Sequence, residues 1–473
     1  MSAASNVADV EPEPEPKSEP EPGEKGFQLT DLGNARRLAA EHGGDVRYVH
    51  DWGRWLAWDG GRFRLDDTGE HVRRAKAVTR SLLLDVAAAA PGEIAKRIAA
   101  HAARSQSDRA IRAMLNLAQS EPGIPVVPED LDRNPWVFNV ANGTIDLEYG
   151  DLRAPRRDEL LTKRSSVLYD PDAPCPRWLA FLDRVLDRDQ DLVAFVQRAV
   201  GYTLSGKTTE QVFFLLYGAG ANGKSTFLET IRVLLGEYAI QAPVETFLEH
   251  RDGAIPNDVA RLRGARFVAA TETPEGRRLN ETLVKRMTGS DTITARFMRG
   301  EWFDFAPTFK VWLATNHLPE IRGTDDAIWR RVRAIPFTVT IPEDERDKTL
   351  IATLRHELPG ILNWALVGCQ GWQDNGLQPP AAVTNATTSY RADMDVLGRF
   401  LEDECDVGEA LRTKAGELYT RYEYWCGRNG EDVLSQQALG RRLSNRGFGK
   451  QRGNDGRSWL GLALRRAPRG HDA

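Results

Sequence analysis

Cysteine is scarce, with four in 473 residues: Cys175, Cys369, Cys405 and Cys426. They form no CxxC pair and no histidine cluster accompanies them, so neither a disulfide framework nor a zinc ribbon is expected. The thiols read as structural or incidental residues in a reducing compartment. The chain also lacks an apolar run of about eighteen residues, so no membrane-spanning helix and no membrane partner are expected. Its first residues carry no basic patch leading into an apolar core, the pattern of a secretory signal. Cytoplasmic placement is the resulting expectation. Internal repeats are lacking too.

What is present is a globular composition, long enough for several domains. The formal net charge of −5 would argue against nucleic-acid binding, but the charges are segregated. Residues 1–26 hold a Glu-Pro repeat that cannot bury apolar surface and reads as a disordered acidic tail. Residues 441–469 are strongly basic, with Asp455 the only acid among them.

Residues 27–170 read as a mainly helical region, with helices near Leu32–Glu41 and Val72–Ala90. Between them lies an aromatic cluster, Trp52, Trp55, Trp58 and Phe63. It reads as the small core of a hairpin, the competing reading being a base-stacking surface. Residues 171–345 open with a helical stretch from Trp178 to Gly201. Strands then alternate with longer segments at Val212–Tyr217, Arg266–Thr271, Phe309–Thr315 and Arg333–Phe337. Their near-continuous apolar runs predict a buried, largely parallel sheet. Residues 346–390 read as a helical extension, Thr349–Trp372, followed by a polar linker at 376–388. Residues 391–473 read as three helices followed by an apolar-basic hairpin, the pattern of a winged-helix module.

The strongest motif is Gly218-Ala-Gly-Ala-Asn-Gly-Lys224-Ser225, which fits GxxxxGK[ST] between a strand and a helix. Glycines let backbone N–H groups converge on phosphate oxygens, and the helix adds its positive N-terminus. Gly218, Gly220, Ala221, Asn222, Gly223, Lys224, Ser225 and Thr226 are thus the expected ATP-binding set. In it Lys224 reaches the β/γ-phosphates and Ser225 ligates Mg²⁺. Hydrolysis also needs a carboxylate at a neighbouring strand end. Glu272 stands there, as a metal ligand and catalytic acid. The next strand ends at Asn316, which suits a water-orienting, γ-phosphate-sensing amide.

Arg330 and Arg331 follow the sheet and could stabilise transition-state charge on a neighbouring subunit. Between the strands ending at Glu272 and Asn316, a helix carrying Lys285 leads into a hairpin bearing Arg296 and Arg299. That hairpin suits a phosphate backbone in a channel. In the C-terminal module, Arg441, Arg442 and Arg446 share a helix, with Lys450, Arg452 and Arg457 on the wing, a distribution suited to duplex or fork DNA. For each basic group the competing reading is a solvated charged face.

These residues resemble the superfamily 3 helicases, in particular the primase-helicases of satellite phages, plasmids and poxviruses. The segments "NVANGTIDL", "DPDAPCPRWLAFL", "KRMTGSDTITAR" and "LATNHLPEI", together with the glycine-rich loop, occur in that order. The resemblance spans most of the chain from about Trp52. It implies an α/β P-loop NTPase with an AAA+-related superfamily 3 core, a mainly helical N-terminal region and a C-terminal winged helix. It also implies a hexameric ring translocating on single-stranded DNA in phage, prophage or plasmid replication, inside a bacterial or phage-infected cell. On it Lys224 and Ser225 match the Walker A pair, Glu272 the Walker B acid, Asn316 the sensor, and Arg331, with Arg330 the alternate, the arginine finger.

Two departures stand out. Thr271 precedes Glu272 where many members have a second acid. The N-terminal region shows no acidic metal pair beyond Asp130 and Asp132, whose D-x-D lies in an expected loop. The expected function is an ATP-dependent helicase acting on single-stranded and forked DNA. The alternatives are a primase-helicase with a cryptic or partner-supplied primase, and a non-unwinding, ATP-switched origin-binding protein. A separate primase or origin-binding protein is a candidate partner.

Overall fold

The computed structural model describes residues 27–465 apart from 89–90, 250–256, 272–275, 290, 298–300, 323–325 and 454–455. Its described residues form two compact units. One comprises residues 27–133 with 156–162, the other 134–155 with 163–465.

In the first unit, helix α1 (Asp31–His42) precedes an antiparallel sheet of β1 (Val46–Val49), β2 (Arg54–Trp58) and β3 (Phe63–Leu65). Helices α2 (Glu70–Ala88), α3 (Glu93–Ser105) and α4 (Asp108–Ala118) follow. Side-chain oxygens fix the starts of α1 and α2. The Gly33 N–H donates to Thr30 Oγ1 at 3.0 Å, and Glu70 and His71 N–H donate to the Asp66 carboxylate at 2.8 and 2.7 Å. Those backbone and imidazole donors hold Asp66 down at about 2 against burial. Of the aromatic cluster, Phe63 and Trp55 are buried and Trp52 is exposed, so the hairpin-core reading holds. Residues 156–162 return as a strap. The Leu161 carbonyl accepts from Phe63 N–H at 2.8 Å, and Thr162 N–H donates to Asp132 Oδ1 at 2.7 Å. Asp132 is thereby committed to closing a turn, at φ 53°, rather than to a metal pair with Asp130.

The second unit opens with a meander of β4 (Val137–Val140), β5 (Gly143–Asp146) and β6 (Asp151–Arg153), then α5 (Pro176–Val185) and α6 (Gln190–Leu204). The expected continuous helix from 178 to 201 breaks between these two. Asp187 and Arg188 adopt φ near +57°, at 56° and 58°, and Asp189 caps α6. Residues 134–155 and 163–170, grouped by sequence with the N-terminal region, pack here, with Phe138, Val140, Ile145 and Leu147 in the same core as Trp178.

Then come β7 (Phe213–Tyr217), α7 (Lys224–Leu235), β8 (Ala239–Gln241), β9 (Phe267–Thr271), α8 (Glu281–Thr288), the hairpin β10 (Ile293–Arg296) and β11 (Trp302–Phe305), β12 (Lys310–Thr315), α9 (Asp326–Trp329) and β13 (Val332–Pro336). The sheet order is β13-β7-β12-β9-β8, every pair parallel. Strand alternation splits the apolar runs between two cores. Phe214, Leu216 and Trp312 face the cluster containing α5, α6 and α7. Phe213, Leu215 and Leu313 face the cluster containing α8. This is a mixed α/β fold, and its parallel strands place the chain ends after β7, β9 and β12 along one edge.

The extension is α10 (Leu350–His356) and α11 (Leu358–Asn375), the expected single helix being interrupted at Glu357. The expected linker at 376–388 is corrected to helix α12 (Ala381–Met394) from residue 381 on. Its apolar stripe is thin, Val383 and Tyr390 being its buried residues, and Thr387 accepts a bond from Ala334 N–H of β13 at 3.2 Å. The C-terminal part holds α13 (Val396–Glu404), β14 (Cys405–Lys414), α14 (Ala415–Asn429), α15 (Gln436–Asn445), β15 (Gly449–Gly453) and β16 (Gly456–Leu464), with sheet order β14-β16-β15. The three helices were expected; β14 was not.

Candidate functional site

The glycine-rich loop joins the buried strand β7 to α7. Gly218 has φ 151°, and a Cβ there would stand 2.1 Å from the Phe337 carbonyl oxygen. Gly223 has φ 86°, with Val185 Cγ1 2.7 Å from the position of its missing Cβ. A side chain at either position would force the loop open. The loop is tied to the strand beyond it: Asn222 Nδ2 donates to the Phe337 carbonyl at 2.9 Å, and Ile341 N–H to the Ala221 carbonyl at 2.8 Å.

Lys224 is buried at the first position of α7. Its ammonium donates to the Gly218 carbonyl at 2.7 Å, Asn222 Oδ1 at 3.0 Å and Asn316 Oδ1 at 3.1 Å. Desolvation lowers its pKa. Ser225 is exposed in the same turn, beside half-buried Thr226. A Cβ on Gly220 would meet nothing within 4 Å, so the loop faces open space.

Thr271 ends β9 level with Ala314 of β12, two residues before Asn316. Glu272 lies outside the described residues, as does Arg299.

The two candidate finger arginines differ. Arg331 is buried, donating to Thr288 Oγ1 at 3.1 Å, the Ala327 carbonyl at 2.5 Å and Gln211 Oε1 at 3.4 Å. Arg330 is exposed. The preference for Arg331 therefore meets a side chain already occupied inside its own chain. The resemblance ranked Arg331 first without access to burial, which for adjacent residues depends on how the short α9 sits.

A pocket of about 480 Å³ adjoins the loop. Phe181, Ile341, Leu350, Ala221, Gly223 and Thr226 line it. Arg177 bridges Asp347 at 2.9 Å and Arg184 pairs with Glu345, tying α5 to the 341–350 segment. Nothing in the residue pattern pointed to this pocket, since its walls come from segments far apart in the chain.

In the hairpin, Arg296 pairs with Trp302 across β10 and β11, its guanidinium 4.7 Å from the indole centre. Trp302 and Phe297 are 56% and 50% exposed, side by side with Arg296 at the end of the hairpin. Neither was singled out from sequence, though aromatic residues flanking the basic turn were the available signal. Lys285 is half-buried on α8.

In the C-terminal part Arg441, Lys450, Arg452 and Arg457 are exposed. Arg442 reaches the Arg322 carbonyl at 3.5 Å, and Arg446 pairs with Asp395. Among the described residues no cluster of three or more His, Cys, Asp or Glu could hold a metal, and no helix is long and apolar enough to cross a membrane. All four cysteines are buried and free, and burial pushes Cys175 and Cys369 up to about 11 and Cys405 to about 12, far from nucleophilic thiols.

With this geometry in hand, the chain is a two-unit protein whose larger unit carries a parallel α/β sheet with a glycine-rich loop at its carboxyl edge. Three family models match in succession: "D5 N terminal like" at residues 35–187, a family of unknown function at 216–331, and "Poxvirus D5 protein-like" at 392–455. A protein named "Putative helicase" from Acanthamoeba polyphaga mimivirus is 29% identical over 63% of this chain and 33% of its own length. One of the same name from Frog virus 3 is 28% identical over 55% and 29% respectively. A "Putative primase" of African swine fever virus is 24% identical over 64% and 34%. The chain spans about a third of the length of these curated relatives. The apo structure of the NrS-1 C-terminal region superposes with a TM-score of 0.52 at 11% identity, over 91% of this chain and 98% of that one, a likeness of fold. The chain is thus D5-like at both ends, consistent with the superfamily 3 primase-helicase family that its motifs resemble.

Proposed function

We propose that this chain is an ATP-dependent DNA helicase of superfamily 3, working as a ring, expected to be a hexamer, on single-stranded and forked DNA. The observation that carries the reading is the Lys224–Asn316 contact at the carboxyl edge of a parallel sheet. It joins the first residue of the helix after the loop to the end of an adjacent strand, where a γ-phosphate would need both. The strand order, β13-β7-β12-β9-β8, supports a P-loop core of the AAA+-related type, as the helix-sheet order of the C-terminal part supports a winged helix.

The cradle suits a magnesium-nucleotide. Gly218 and Gly223 leave no room for side chains, the loop beside Gly220 faces open space, and Ser225 offers the hard oxygen that Mg²⁺ prefers. Bound Mg²⁺ would neutralise charge building on the phosphates. Lys224 would turn from its three oxygen partners to the phosphates, Asn316 would hold the attacking water, and Glu272 would share metal binding with Ser225. The pocket lined by Phe181 and Leu350 suits the nucleoside. Arg330, exposed where Arg331 is not, is the better finger. Lys285, Arg296 and Arg299 would grip a single strand, and Arg441, Arg442, Lys450 and Arg452 a duplex or fork.

The test is displacement of a labelled strand from a forked duplex with ATP and Mg²⁺, run beside Lys224→Ala. Displacement by the wild type alone supports the motor. ATP-dependent DNA binding without displacement, in any assembly state, moves the reading to an ATP-switched origin-binding protein, which the basic C-terminal surface favours. Primer synthesis by this chain is not proposed, Asp132 being engaged by Thr162; a separate primase would supply it.

A further inference from the structure

Helix α15 carries two separate sets of residues. Leu439 and Leu443 are buried in the core with Trp425 and Trp459. Gln437, Arg441 and Ser444, spaced i, i+4 and i+7, occupy the opposite face and are all exposed. The helix contains no acidic residue, and Ser435 caps its start by accepting from Ala438 N–H at 3.3 Å. The groove beside it is lined by Lys414, Lys450 and Arg457, with Glu417 the one acid among its described lining residues.

The hairpin that follows carries a second, independent sign. Arg452 and Arg457 are direct cross-strand partners of β15 and β16. Like charges placed opposite each other destabilise a hairpin. Neither arginine forms an ion pair with an acid among the described residues, and both are exposed. A polyanion between them would turn that repulsion into attraction. Behind them, Lys450 lies over the Trp459 ring at 4.8 Å, fixing its ammonium beside the helix. Gly440 lies directly beneath this pair, the position of its missing Cβ being 3.4 Å from Trp459 Cζ2 and 3.5 Å from Lys450 Nζ.

We infer that α15 reads base sequence in the major groove of duplex DNA, with Gln437 and Arg441 as the reading residues and the β15–β16 hairpin holding the phosphates. This deepens the proposed DNA-binding role of the C-terminal part and rests on it. The two kinds of residue have different jobs. An arginine fork fits the O6 and N7 of guanine, and a glutamine amide fits the N6 and N7 of adenine. The paired wing arginines carry charge but no geometry specific to a base. The partner is therefore a duplex containing a short motif with a guanine and a nearby adenine, rather than any duplex.

The experiment selects binding sites from a random duplex library with the full-length chain, without nucleotide. The selected duplex and a scrambled one are then titrated against wild type, Arg441→Lys, Gln437→Ala and Arg452→Ala over a range of salt. One motif should be enriched. Arg441→Lys, which keeps the charge and loses the fork, should cut discrimination between the two duplexes by roughly 5- to 150-fold, leaving the salt dependence unchanged. Arg452→Ala should weaken both duplexes alike and flatten the salt dependence. No enriched motif, or equal effects of Arg441→Lys and Arg452→Ala on the two duplexes, overturns the inference. Single-strand-stimulated ATP hydrolysis is measured on the same preparation. Hydrolysis without selection sinks this inference and leaves the motor standing; selection without hydrolysis supports the inference and sinks the motor.

Discussion

Lys224 and Asn316 meet Nζ to Oδ1 at 3.1 Å although 92 residues separate them in the chain. The contact crosses from the helix after β7 to the end of β12, so it forms only when the sheet is assembled. Substituting either residue removes a polar group aimed at one point. Asn316→Ala should lower ATP turnover by about 10²- to 10³-fold, the range for losing one preorganised polar group in a site. Nucleotide affinity should change far less. Steady-state hydrolysis beside equilibrium binding of a fluorescent nucleotide checks this, and an equal loss in both would mean that Asn316 serves only binding.

Arg330 and Arg331 should separate cleanly by phenotype. Arg331→Ala strands the buried Thr288 hydroxyl and the half-buried Ala327 carbonyl and Gln211 amide, and should cost about 1–3 kcal/mol of stability, read as a lower melting temperature. Arg330→Ala should melt like the wild type while losing about 10³-fold or more in turnover. Mixing it with Lys224→Ala chains should restore part of the activity, because each would supply what the other lacks. No recovery in the mixture argues against action between subunits.

The exposed hairpin aromatic predicts a strand-specific defect. Trp302→Ala should weaken single-stranded DNA binding by about 1–3 kcal/mol, the contribution of one stacked base. Duplex binding through the C-terminal part should be unaffected. Fluorescence anisotropy with both ligands tells the two apart, and a uniform loss would point to damage to the fold.

Acid should loosen the N-terminal unit before neutral conditions do. His101 is buried against Asn34 Oδ1 at 2.9 Å and Ser105 Oγ at 3.3 Å, and burial lowers its pKa below the ordinary 6.5. His42 is shifted the same way, by burial and then by Arg74. The unfolded chain thus binds protons more readily than the folded one. Stability is complete above about pH 6.5 and is lost as pH falls through the depressed folded values. Hydrogen-exchange protection across residues 31–118, corrected for the slower intrinsic exchange in acid, should fall as pH drops below about 6.5, and His101→Gln should remove part of that slope, His42 keeping the rest.

The sheet and the loop were readable because their physics is local. Glycines at 218 and 223 sit where a Cβ would strike Phe337 or Val185, and apolar strands buried on both faces leave unbroken runs such as Phe213–Tyr217. Helix α12 was not readable, because two buried residues, Val383 and Tyr390, leave no visible period among its threonines and asparagines. The pocket beside the loop was equally hidden, its walls being drawn from α5, the loop and residues 341–350. Arg331 shows the limit most sharply: sequence names a candidate pair, and only packing tells which member faces outward.

The strap at 156–162 has a consequence for inheritance. The first unit is written in the gene as two separated pieces, with 134–155 of the second unit between them. A single recombination joint at either end of 134–155 would separate Asp132 from Thr162 or β4 from its core. Domain shuffling by one crossover therefore cannot give or remove this unit cleanly, and a replacement N-terminal unit has to arrive with a compatible insertion already inside it.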